Sequence, residues 1–146
     1  MRITDVINHK GSFVVMARPD HDVAHLVALL TEHNIGAVVI TDDDGQAVGI
    51  AGEREVVRAL ARFKTEALAQ PISAIMTSSV TAAAMEDDLT VVAATMTELR
   101  VRHMPVIVDG HVAAIVSVGD IVKSRIDELQ DDTAHLVKYL QGSAPL

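Results

Sequence analysis

The feature that most constrains this chain is that its sequence is written twice. "VVMARPDHDVAHLVALLTEHNIGAVVI" (14–40) lies over "VTAAAMEDDLTVVAATMTELRVRHMPV" (80–106) at an offset of 66. Val14 falls on Val80, Asp22 on Asp88, Ala28 on Ala94, Thr31 on Thr97 and Glu32 on Glu98. The turn "DDDGQ" is one residue longer than its partner, so the offset then drops to 65, and Ile50 falls on Ile115 and Val57 on Val122. The copies cover roughly 3–63 and 72–128 and are joined by "KTEALAQP", which ends in Pro71. A chain that repeats itself at this period builds one supersecondary unit twice and packs the copies together.

Each copy carries the same local signals. A short strand, "FVVMA" or "VTAAA", leads into an acidic turn, "PDHD" or "MEDD". Asp22 and Asp88 stand where an N-cap is needed. The helices that follow show apolar residues at helical spacing: Val23, Leu26, Val27 and Leu30, then Leu89, Val92, Ala93 and Met96. Two β-rich runs joined by a Gly-containing turn come next, "AVVITDDDGQAVGIA" and "PVIVDGHVAAIV", each reading as a hairpin. A second helix closes each unit, "EREVVRALARF" and "GDIVKSRIDELQ".

The fold class is therefore α/β (α+β), with two β-α-β-β-α units. Boundaries fall at 1–66, 67–130 and 131–146, the last a short helix from Thr133 to Leu140 followed by a Gly-Ser-Ala-Pro tail expected to be mobile. A unit of about 60 residues is small to stand alone. Pairing the two about a pseudo-twofold axis buries both sheet faces and leaves two equivalent clefts, near residues 52–55 and 117–120.

Composition removes several function classes. Apolar residues make up 49% of the chain and aromatic residues 2%, so the core is aliphatic. The net charge of -8 argues against a protein built to bind the phosphate backbone of nucleic acid, and stacking aromatics are scarce. The absence of cysteine excludes disulfides, thiolate metal sites and thiol nucleophiles. "MRITDVINHKG" lacks the apolar run of a signal peptide, and no stretch suggests a membrane span. A soluble, cytoplasmic protein is expected. Seven histidines are present, with His21 and His25 four apart, but no HExxH and no Asp-rich calcium loop, so no metal site is expected. No Gly-x-Ser-x-Gly, Walker loop or GxGxxG is found, and the chain is read as no enzyme.

The two polar turns carry the functional question. "AAIVSVGDIV" (113–122) repeats "VGIAGEREVV" (48–57), with Ser117 against Gly52 and Asp120 against Glu55. One reading is a helix start alone: Ser117 as N-cap and Asp120 three residues on form a capping box, and Gly52 is an acceptable N-cap. The other reading uses the same geometry for a ligand. A helix N-terminus suits phosphate, and a carboxylate one turn in can accept from both hydroxyls of a ribose. Arg54, beside Glu55, is either a phosphate ligand or a solvated helix residue.

The order and repetition of "ISAIMTSSV", "VRHMPVIVDG" and "IVSVGDIVK", with "NIGAVVITDDDGQAVGIAGEREVVRAL" in the first copy, resemble a tandem pair of CBS domains, often called a Bateman module, of the small stand-alone bacterial kind. The resemblance covers about 3 to 130. It implies a regulatory, non-catalytic module that binds an adenosine ligand (AMP, ADP, ATP, NAD(H) or S-adenosylmethionine) between the repeats and requires no cofactor. It also implies a homodimer that controls a separate, unidentified protein.

The resemblance further implies a site. Asp120 binds ribose and Ser117 lies near phosphate. Lys10, Phe13 and Val15 line the adenine and ribose side, while Ile35, Gly36 and Ala37 offer backbone groups to the base edge. Arg102 and His103 reach the phosphate. Each has a plainer alternative: a strand-entry glycine for Gly36, a surface salt bridge for Arg102, a structural histidine for His103. A second site holds Glu55, Arg54, Thr77 and Thr81, the threonines being alternatively ordinary turn and strand hydroxyls. Gly52 lacks the hydroxyl of Ser117 and Glu55 is longer than Asp120, so the Asp120 cleft is expected to be the better nucleotide site. The competing reading is a ligand-free scaffold that kept the fold and binds other proteins.

Overall fold

The computed structural model describes residues 1–142. The local signals form helices α1 (Ile3–Lys10), α2 (Val23–His33), α3 (Glu53–Phe63), α4 (Leu89–Leu99) and α5 (Val118–Leu140). The strands are β1 (Met16–Ala17), β2 (Ala37–Thr41), β3 (Ala47–Gly52), β4 (His103–Val108) and β5 (His111–Ser117). In the first half β1 runs parallel to β2, which pairs antiparallel with β3. In the second half β4 and β5 form the matching hairpin. Its turn holds Asp109 and Gly110, both at positive φ (51° and 80°), as a tight hairpin connection requires.

The helix starts follow the acidic turns. Asp22 caps α2 by accepting from the His25 N–H at 2.8 Å, and Asp88 caps α4 by accepting from the Thr90 N–H at 2.8 Å. The Thr90 N–H holds the Asp88 carboxyl below its ordinary value, against the opposite effect of burial.

Three expectations change. The strand expected over 13–17 is only Met16–Ala17. The strand expected over 80–84 shrinks to one bridge, Ala83 to Val106, at the place equivalent to Ala17 and Ile40. Alanine offers little side chain for cross-strand packing, and here pairing persists only where the buried Ala83 exchanges hydrogen bonds with Pro105 and Ile107. The helix expected at Thr133–Leu140 is the last part of α5, which runs unbroken for 23 residues because nothing in "DELQDDTAH" interrupts it. The tail expected to be mobile falls mostly at 143–146, outside the described residues.

The segments that lead into each half are exchanged. Ile3, Val6 and Ile7 of α1 join the core of the second half, with Met96, Met104, Val106, Val116 and Ile121. The Ile3 and Thr4 N–H groups donate to the Asp87 and Met85 carbonyls at 3.0 and 2.9 Å. Conversely, Ile72 is buried with Ala17, Leu26, Val38 and Ile40 of the first half. Its N–H donates to the His21 carbonyl at 2.8 Å. "ISAIM", which opens the second copy in sequence, therefore belongs to the first core in space.

Candidate functional site

The site grows from the two strand-to-helix turns. Where β5 enters α5, Ser117 is the N-cap and the capping box is complete. The Asp120 N–H donates to Ser117 Oγ at 3.1 Å, and the Ser117 N–H donates to Asp120 Oδ2 at 2.9 Å. The same Oδ2 accepts from Lys10 Nζ at 2.5 Å, and Lys10 Nζ also donates to the Ile115 carbonyl at 2.8 Å. Burial pushes the Asp120 carboxyl up, but the Lys10 ammonium and the Ser117 donors outweigh it and hold the group below its ordinary value.

At the equivalent turn, β3 enters α3 through Gly52. A Cβ there would fall on the Gly36 carbonyl oxygen and stand 2.9 Å from the Ala37 Cα. Gly52 is therefore more than a serine without its hydroxyl, because the paired strand leaves no room for a side chain. Glu55 accepts from Thr77 Oγ1 at 3.3 Å. Thr77 also exchanges backbone hydrogen bonds with Ile50, 2.9 Å each way. The two carboxylates thus occupy pseudo-symmetric places, and each meets a residue from the segment that leads into the other half.

Two cavities adjoin these turns. The first, of about 250 Å³, gathers Arg54, Glu55, Thr77 and Thr81, together with Arg58 and Gly36. Ala37, Arg102 and His103 also reach it. The second, of about 410 Å³, is lined by Ile35, Gly36, Arg102, His103 and Ser117, with Glu53 between. The residues expected at the second site thus converge in one cavity, whereas those expected around Asp120 are spread.

Asp120 and Lys10 close on each other beside the second cavity, through Ser117, and do not line it. Val15 packs against the first core. Phe13 lies 74% exposed, its ring 5.8 Å from that of His33. The space that Gly36 was expected to leave for a ligand is filled by His103, whose Cε1 would be 3.0 Å from a Cβ at that position. Burial, then the Arg102 and Lys10 cations, push the His103 imidazole below its ordinary value, against the opposite pull of Asp120 and Glu53.

Arg54 donates to the Arg100 carbonyl at 3.0 Å, covering the C-terminus of α4 from the first half. Sequence reasoning missed Arg58 and Glu53. Arg58 stands one turn beyond Arg54 on α3, a spacing that could have found it. The His21 and His25 rings meet at a tilt, their centroids 4.4 Å apart, and among the described residues no cluster of three or more potential metal ligands forms. Among those residues no helix is long and apolar enough to cross a membrane.

Comparison with known proteins agrees with this architecture. The family model for the CBS domain matches twice, at 5–62 and 72–127. The chain is 31% identical over 148 residues to the "CBS domain-containing protein CBSX3, mitochondrial" of Arabidopsis thaliana, covering 96% of this chain and 72% of that one. Among solved structures, the CBS-domain containing protein ATU1752 from Agrobacterium tumefaciens is similar at a TM-score of 0.83 and 38% identity, over 86% of this chain and 99% of that one. The CBS domain pair of MJ0100, solved in complex with 5'-methylthioadenosine and S-adenosyl-L-methionine, is similar at a TM-score of 0.79 and 26% identity, over 88% and 98%. Two copies of one unit, paired so that a carboxylate-bearing helix start faces a cleft on each side, place the chain in the CBS-domain family as a tandem CBS pair.

Proposed function

We propose that the protein is a non-catalytic sensor that binds an adenosine nucleotide between its two repeats and, by preferring one arrangement of a homodimer, regulates a separate protein. The observation that carries this reading is the Ser117–Asp120 helix start, set beside a cavity lined by Arg102 and His103. A carboxylate at that point can accept from a ribose diol, and a cation and a helix start favour phosphate nearby. AMP, ADP and ATP fit this chemistry, and NAD(H) or S-adenosylmethionine shares the adenosine part. The ligands bound by MJ0100 support an adenosine moiety as the common element.

The second reading, a ligand-free interaction module, is favoured by one observation: Asp120 Oδ2 already accepts two hydrogen bonds within the chain. Calorimetric titration of AMP, ATP, NADH and S-adenosylmethionine separates the two. Binding abolished by Asp120→Ala supports the sensor. No binding at millimolar ligand overturns it in favour of the interaction module. Damage by Glu55→Ala instead moves the principal site to the first cavity.

A homodimer is supported by α5. Every side chain from Leu129 to Leu140 is exposed, so about 18 Å of helix has no cover from its own module. Val122, Ile126, Leu129, Thr133, Leu136 and Leu140 alternate at spacings of four and three along it, the seam of a two-helix contact. Val57 and Leu60 on α3 add exposed apolar surface.

A further inference from the structure

The two pseudo-symmetric carboxylates are held by chemically different partners. Glu55 meets the neutral hydroxyl of Thr77, and Asp120 meets the ammonium of Lys10. The places correspond closely, because Ile50 and Ile115 are equivalent. Thr77 pairs its backbone with Ile50, while Lys10 reaches the Ile115 carbonyl with its side chain. The carboxylate at the start of α5 therefore carries an ammonium where its counterpart on α3 carries a hydroxyl.

We infer that Lys10 makes the Asp120 cleft selective for an anionic, phosphorylated adenosine ligand over neutral or cationic adenosine derivatives. The inference rests on the nucleotide reading and adds the class of ligand. A ribose diol that takes Asp120 must displace the Lys10 ammonium or share the carboxylate with it. The Lys10 side chain is 30% exposed and Asp120 23%, so their contact is partly shielded from water. A phosphate supplies a new anion for the displaced ammonium, beside Arg102 and the start of α5. A neutral nucleoside supplies none, and a sulfonium adds a second positive charge. Arg102, which lines the cavity beside Ser117, offers a further cation to such a phosphate.

The test compares AMP, adenosine and S-adenosylmethionine by calorimetry on the wild type, Lys10→Met and Lys10→Arg, with Asp120→Ala to identify the cleft. The wild type is expected to prefer AMP to adenosine by about tenfold or more, the scale of one charged hydrogen bond. In Lys10→Met that preference should collapse to about threefold or less, as AMP weakens and adenosine tightens. Lys10→Arg should keep the wild-type ranking. A wild type that binds adenosine or S-adenosylmethionine as tightly as AMP overturns the inference while leaving the nucleotide reading intact. So does a Lys10→Met protein with an unchanged ratio. No binding of any of the three to the wild type overturns the nucleotide reading itself. Thermal melting verifies that each variant is folded, and Lys10→Gln replaces Lys10→Met if the latter is not.

Discussion

The imidazole of His103 occupies the place of a side chain on Gly36: a Cβ there would lie 3.0 Å from Cε1 and 3.2 Å from Nε2. The contact joins the two halves at their centre through a half-buried ring. That ring takes up a proton in the folded protein only below its ordinary value of 6.5, because of burial and then the Arg102 and Lys10 cations. The unfolded chain binds the proton at higher pH, so stability must fall as pH drops through the unfolded value. Thermal melts at about pH 7.5 and about pH 5.5 should show a loss of stability that is smaller in His103→Gln. Equal losses in both proteins would remove His103 from the account.

Restoring the second copy's serine in the first should harm the fold. Gly52→Ser appears in sequence to repair a helix cap, yet its Cβ would fall on the Gly36 carbonyl. Urea denaturation is expected to show a loss of about 1–3 kcal/mol, the cost of forced overpacking. A gain in stability would show that β2 and α3 can separate without strain.

Substitution can separate the helix-capping role of Ser117 from the ligand contact proposed for it. Ser117→Ala removes the side-chain acceptor for the Asp120 N–H and should cost about 1 kcal/mol in denaturation. Ser117→Asp keeps an N-cap acceptor while adding a negative charge at the cleft. It should hold stability near wild type and weaken AMP binding in calorimetry. If both variants bind AMP as the wild type does, Ser117 acts on the helix alone.

The exchanged segments predict where stability resides. Ile3 and Ile72 are fully buried, each in the core of the half it does not precede. Ile3→Ala and Ile72→Ala should each cost about 2–5 kcal/mol, as large-to-small changes in a core do. A small cost at Ile3, measured by urea denaturation, would mean that α1 docks loosely.

The seam on α5 can be broken without touching a core. Leu129→Lys and Leu136→Lys alter exposed positions beyond the module. Light scattering should show the wild type as a dimer and the double variant as a monomer or a weakened dimer. A monomeric wild type removes the homodimer from the proposed function.

The helices and hairpins were legible because their apolar periods are strong and their caps, Asp22 and Asp88, sit at fixed places in the repeat. That Arg54, Thr77 and Thr81 would lie near Glu55 was legible as a placement, since all four line one cavity. Other features lay outside what a repeat can report. An alignment says that "ISAIM" begins the second copy, but not that Ile72 enters the first core, because equivalence in sequence carries no information about which copy a segment packs on. The strand at 80–84 failed because alanines satisfy a strand pattern without supplying the side chains that hold a ladder. Phe13 was expected against a ligand and stands out beside His33. The contrast between Lys10 and Thr77 was hidden by a register slip. Position 11, not 10, aligns with Thr77, and the long lysine side chain makes up the difference.

Because each half lends a segment to the other's core, neither is a separable building block. A protease cut between Lys64 and Pro71 would yield two fragments, each missing part of its own interior and each carrying the missing part of the other. Such fragments would have to recombine to fold, and the intact chain should melt in one transition. If a ligand binds in either cleft, as proposed, its binding free energy would be felt by the whole protein, and one small molecule could be read at a distant surface.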